Sequence, residues 1–187
     1  MATFDPEVWR DRASKRYYGA HDSKKDTAAA TYVCSLAAID GLTLLIDWCQ
    51  SKSLCIKFTN RYGGYFDPNK KEVQVNARLA PEMQLIVLLH ECGHFLVDVH
   101  RPKHRINRGY DALDALAGKT TESRVDIVDE ELEAWRRGLS LAKRLKIKLN
   151  EEKYNQVRSK CVKTYMKWAV KVDGYGDSLK EDEDDKV

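Results

Sequence analysis

The thirteen residues Leu85 to Val97, LIVLLHECGHFLV, constrain this chain more than any others. Their length and composition predict a helix, entered at Pro81, a residue suited to a first helical turn, and running to about Val97. Apolar residues flank its centre on every side, so the helix must lie inside the fold, with other elements packed around it. Into that apolar setting the sequence places His90, Glu91 and His94, the pattern H-E-x-x-H. Polar groups in a buried helix are costly unless something satisfies them. Residues four apart on a helix lie about 40° apart, so both imidazoles can reach one ion. Glu91 is rotated about 100° from His90, where it can take a proton from water at the ion's open position. Cys92 falls on the opposite face and is read as packing.

A zinc site of this kind needs a third protein ligand, and two candidates compete. His100 stands six residues past His94, the spacing of H-E-x-x-H-x-x-G-x-x-H, but that pattern needs glycine where this chain has Val97. The second candidate comes from Asp129-Glu130-Glu131-Leu132-Glu133, on a helix expected from about Val125 to Lys146. Helical phase puts Glu131 in the middle of a stripe formed by Val128, Leu132, Trp135, Leu139, Ala142 and Leu145, while Glu130 and Glu133 fall outside it. A carboxylate in an apolar stripe needs a partner, and a metal ion is a strong one; an arginine such as Arg124 is the competing partner. Ala134, Gly138 and Ala142 are small enough to let this helix approach the histidine helix closely.

These motifs resemble the ImmA/IrrE-type zinc metallopeptidases, which are gluzincin-like. The likeness lies in the H-E-x-G-H helix, the strand ending Val75-Asn76 before it, and the later Glu-x-x-Ala helix, and it spans roughly Tyr32 to Lys146. It implies a zincin-like fold in which His90, His94 and Glu131 bind Zn2+ and Glu91 is the base, and with it hydrolysis of a peptide bond in a peptide or protein substrate. Trp135 departs from the family, which has Asn or Asp there; Arg137 and Gly138 replace its usual Phe-Ala.

The rest of the chain reads as an α+β domain, mostly helical, with a small antiparallel or mixed sheet against the metal helix. Residues 1–25 form an N-terminal arm, 26–172 the domain, and 173–187 an acidic tail too poor in apolar residues to pack. Asp26 suits the cap of a first helix reaching about Cys49, with Gly41 marking a break. Ser53 to Phe58 reads as a strand, and Tyr62 to Asn69 as turns. Glu72 to Asn76 alternates as a half-exposed strand with Val73 and Val75 inward. Taken as an edge strand beside the cleft, it would let an extended peptide add to it. Asn150 caps a last helix to Lys171, with Tyr154, Val157, Cys161, Tyr165 and Trp168 along one stripe.

At 187 residues the chain is one domain's worth. No run reaches the roughly 18 apolar residues of a membrane span. The charged N-terminus lacks a signal-peptide core, which makes a cytoplasmic protein the expectation. Five scattered cysteines without a C-x-x-C pair argue against a disulfide framework and an all-cysteine zinc site. The net charge of +3 hides an asymmetry: without residues 181–187 the body holds 31 bases against 24 acids, or +7. The excess lies in 100–110 and 143–171. It suits an acidic partner or nucleic acid, and keeps open a second reading, a regulatory protein whose zinc is structural. For the oxyanion of a peptidase, Tyr110 and His104 are the candidate donors.

Overall fold

The computed structural model describes Glu7 and residues 25–60, 63–99 and 121–170, with backbone alone for 25–35 and 121–123. The order of elements is α1 (Lys25–Ser51), β1 (Cys55–Thr59), β2 (Gly64–Asp67), β3 (Glu72–Asn76), α2 (Pro81–Val99), α3 (Thr121–Arg144) and α4 (Glu151–Ala169). This is the α+β arrangement expected, helices with one small mixed sheet.

The apolar helix α2 is central, as its composition requires. Leu85, Ile86, Leu88, Leu89 and Cys92 are essentially inaccessible to water. They meet Leu42, Leu45 and Cys49 of α1, Val73 and Val75 of the sheet, and Trp135, Leu141 and Ala142 of α3 in one continuous core. Phe95 closes its far end, edge-on to Trp48 and to Phe66 with ring centroids 6.1 and 5.9 Å apart. The start of α2 is pinned by Gln84. Its buried side-chain amide donates to the carbonyls of Ala77 and Leu79 at 3.2 and 3.0 Å, tying the helix to the loop that follows β3.

Two features of the sheet correct the sequence reading. Strand order is β1-β3-β2, with β1 parallel and β2 antiparallel to β3. Glu72–Asn76 is therefore the central strand, paired on both sides, and no peptide can add to it. Its polar residues are buried too: Glu72 pairs with Lys57 across to β1 and accepts from Gln74 at 3.0 Å, and Asn76 accepts from the backbone N–H of Arg78 at 2.8 Å. Second, part of the stretch read as turns is strand β2. Its glycine and aromatic residues signalled punctuation, but pairing with β3 through the turn at Pro68–Lys71 decides the outcome. Asp67 shapes that turn by accepting from the N–H groups of Asn69 and Lys70.

Gly41 does not break α1, which runs through it. A Cβ there would press on Ile147 and Leu85, so the residue marks a close approach. The α3–α4 connection ends α3 with Lys146 in the left-handed region (φ 55°) and the Ile147 N–H returning to the Ala142 carbonyl at 3.0 Å. Asn150 then caps α4 by accepting from the Lys153 N–H at 3.0 Å, as expected. The arm apart from Glu7 and Lys25, the basic loop with His100, His104 and Tyr110, and the acidic tail lie outside the described residues.

Candidate metal centre

Helices α2 and α3 approach so closely that backbone meets backbone. A Cβ at Gly93 would overlap the carbonyl of Ala134, and one at Gly138 would lie 2.5 Å from the carbonyl oxygen of Leu89. Arg137 closes the same seam from outside, donating to the Leu96 carbonyl at 2.6 Å and to Glu133 at 2.7 Å. This seam carries Glu131 to the histidines.

His90 Nε2 and His94 Nε2 are 3.2 Å apart. Glu131 presents Oε2 to the first and Oε1 to the second, each at 3.3 Å. All three side chains are withdrawn from solvent, with Glu131 only 8% exposed. Despite its 3.3 Å approach to His90, Glu131 Oε2 is in no well-directed hydrogen bond, and His90 Nδ1 has no partner among the described residues. A ring nitrogen of each histidine and a carboxylate oxygen of Glu131 lie within 4.8 Å of one another. Among the described residues, His90, His94 and Glu131 are the group of ligating side chains close enough to hold one metal ion. Glu130 and Glu133 take no part in it. Glu133 is held by Arg136 and Arg137, Arg124 lies over the Trp168 ring at 5.7 Å, and Glu131 faces the two histidines.

The charges around the centre are strongly perturbed in the metal-free protein. Burial raises the Glu131 carboxyl, but the two imidazoles outweigh it and hold it down at about 2. Burial lowers His90. It acts the same way on His94, where the Glu131 carboxylate prevails and the net shift is upward. Glu91, outside the triad, is pushed up to about 7 by burial. Its carboxylate rests against the start of β2: a Cβ on Gly64 would come within 2.5 Å of Glu91 Oε1. Gly64 is thus part of the wall of the site, a role its turn-like context in the sequence concealed.

Two aromatic residues complete the surroundings. Trp135 stacks on His90, centroids 4.1 Å apart and planes within 20°. Tyr165 of α4 sits beside Glu131, and burial together with that carboxylate pushes its phenol well above the usual value. In the sequence Tyr165 reads only as part of an apolar stripe. Its steps of four from Cys161 and three to Trp168 carried no sign of which residue it would meet. Cys92, read as packing, is buried on the far side of α2 with its Sγ 3.4 Å from that of Cys49.

Comparison with protein-family models, curated proteins and solved structures finds no match to this chain. The likeness noted from the sequence therefore rests on the metal cluster and on the combination of helices with a small sheet. No described helix is long and apolar enough to cross a membrane.

Proposed function

We propose that this protein is a zinc-dependent metallopeptidase in which His90, His94 and Glu131 hold the ion and Glu91 is the general base. The observation that carries the reading is the convergence of the three ligands with a second buried carboxylate, Glu91, beside them that is not one of them. A tetrahedral ion with bonds of about 2.0–2.1 Å separates its ligand atoms by about 3.3 Å. The two ring nitrogens, 3.2 Å apart, meet that spacing, and the Glu131 carboxylate reaches one nitrogen with each of its oxygens at 3.3 Å; two imidazoles and a carboxylate are a donor set that suits zinc.

When bound, zinc supplies Lewis-acid polarisation of a carbonyl and of water. The chain's own residues do the rest. Glu91 takes the proton of the attacking water and passes it to the leaving amine nitrogen. Tyr165, kept protonated, steadies the Glu131 carboxylate. Among the described residues β2 is an edge strand of the sheet, its Gly64 lies against Glu91, and Tyr65 on it is 56% exposed. An extended peptide laid beside β2 would bring its backbone to the base.

The other reading, a regulatory or nucleic-acid-binding protein with a structural metal, draws on exposed bases such as Lys160, Lys163 and Lys167 on α4. It leaves unexplained why Glu91, which a structural site does not need, is buried beside the ligands. Metal analysis by mass spectrometry of protein purified without added zinc, paired with cleavage of a fluorogenic peptide library, tests the proposal. About one zinc per chain and cleavage abolished by a chelator are expected. Zinc without any cleavage would favour the structural reading.

A further inference from the structure

A metal-binding imidazole has one soft degree of freedom, rotation of its ring. The lone pair aimed at the ion lies in the ring plane, so turning the ring turns the ligand away. Metal-ligating histidines are usually steadied by a hydrogen bond from the second ring nitrogen to a carboxylate, a carbonyl or water. His90 lacks that bond: its Nδ1 is buried without a partner among the described residues. The indole Nε1 of Trp135 is likewise buried and unpartnered. The two rings lie face to face at 4.1 Å.

Trp135 is itself immobilised. It is 2% exposed, with the Tyr154 ring edge-on at 5.1 Å and the Tyr154 hydroxyl donating to the Trp135 carbonyl at 2.8 Å. The close seam at Gly93 and Gly138 presses the two helices together around it. Stacked planes resist ring rotation as a hydrogen bond does, because turning either ring about its bond to Cβ would break the overlap.

We infer that Trp135 is a positioning residue of the metal centre, holding the His90 ring plane by stacking in place of a hydrogen bond from Nδ1, which none of the described residues accepts. The inference rests on the reading of His90 as a ligand and adds that its orientation depends on an aromatic face at position 135.

The test compares Trp135→Phe, which keeps a flat ring, with Trp135→Leu, which keeps apolar bulk without one. Zinc affinity is measured by competition with a chromophoric chelator, cobalt uptake by its visible absorption, and the melting temperature on metal-free protein. Phe should bind zinc within about threefold of wild type, while Leu loses about 10–100-fold, the range for removing a group that orients a ligand. The cobalt band should shift in the Leu variant alone, and the metal-free melting temperatures of the two variants should be similar. Equal zinc affinity for Leu and Phe, whether both are retained or both are lost, overturns the inference. Should the Leu variant fail to fold, cobalt quenching of tryptophan fluorescence decides: Trp135→Phe must remove most of it, and undiminished quenching sinks the inference. A wild type that takes up no zinc instead refutes the metal-centre reading.

Discussion

The backbone of Gly93 lies against the carbonyl of Ala134, with no room for a Cβ between them. That contact sets the distance between the helix that carries both histidines and the helix that carries Glu131. Because the obstacle is backbone, Gly93→Ala must push the helices apart. Overpacking of this kind costs about 1–3 kcal/mol, occasionally more. Chemical denaturation should show a loss at or above that range, and metal affinity should fall with it. A variant as stable as wild type would mean that the seam is looser than described.

The choice of ligand carboxylate is open to direct test. Glu131→Ala should lose the metal. Glu130→Ala and Glu133→Ala should keep about one ion per chain, since neither residue belongs to the cluster. His100→Ala should also keep it. Retention in Glu131→Ala with loss in His100→Ala would transfer the third ligand to the basic loop.

Much of this centre was legible in the sequence because the helical period is rigid. His90 and His94 had to share a face, and Glu131 alone among its acidic neighbours fell in the apolar stripe. The small residues Ala134, Gly138 and Ala142 foretold a close seam, while the part of Gly93 in it emerged only from the structure. What the sequence withheld depends on pairing and on three-dimensional neighbours. Glu72–Asn76 alternates like an edge strand, yet β1 and β2 flank it, and strand order has no local signature. Gly63 and Gly64 read as punctuation, although Gly64 opens β2 and is small to accommodate Glu91 and Val87. Trp135 stood out as a departure, but only its stack on His90 gives it a role.

The burial of Glu91 has a pH signature in the metal-free protein. Its carboxyl titrates near 7 when folded, against an ordinary 4.5. Below about 4.5 it is protonated in both the folded and unfolded states and its contribution to stability is fully present. As pH rises through about 7, the unfolded chain is already ionised and that contribution is lost. The shift corresponds to about 3 kcal/mol at most. Glu91→Gln should therefore be more stable than wild type at pH 8, with the gain vanishing at pH 4. A difference that does not change with pH would show that Glu91 is hydrated and ordinary.

Gly64 offers a way to move the base without changing it. A methyl group there would meet the end of the flexible Glu91 side chain and Val87. Gly64→Ala should fold, keep its metal and lower kcat by at least tenfold, because misplacing a catalytic group by about an ångström is enough. Unchanged kcat would show that Glu91 does not depend on this wall.

The most direct measurement pairs metal content with hydrolysis in Glu91→Gln. Glutamine keeps the shape of the side chain and removes its ability to accept the proton of water. The expected result is a folded protein with a full complement of zinc and peptide cleavage reduced by about 10²–10⁴-fold, the contribution typical of a general base. Cleavage at the wild-type rate with zinc in place would contradict the mechanism.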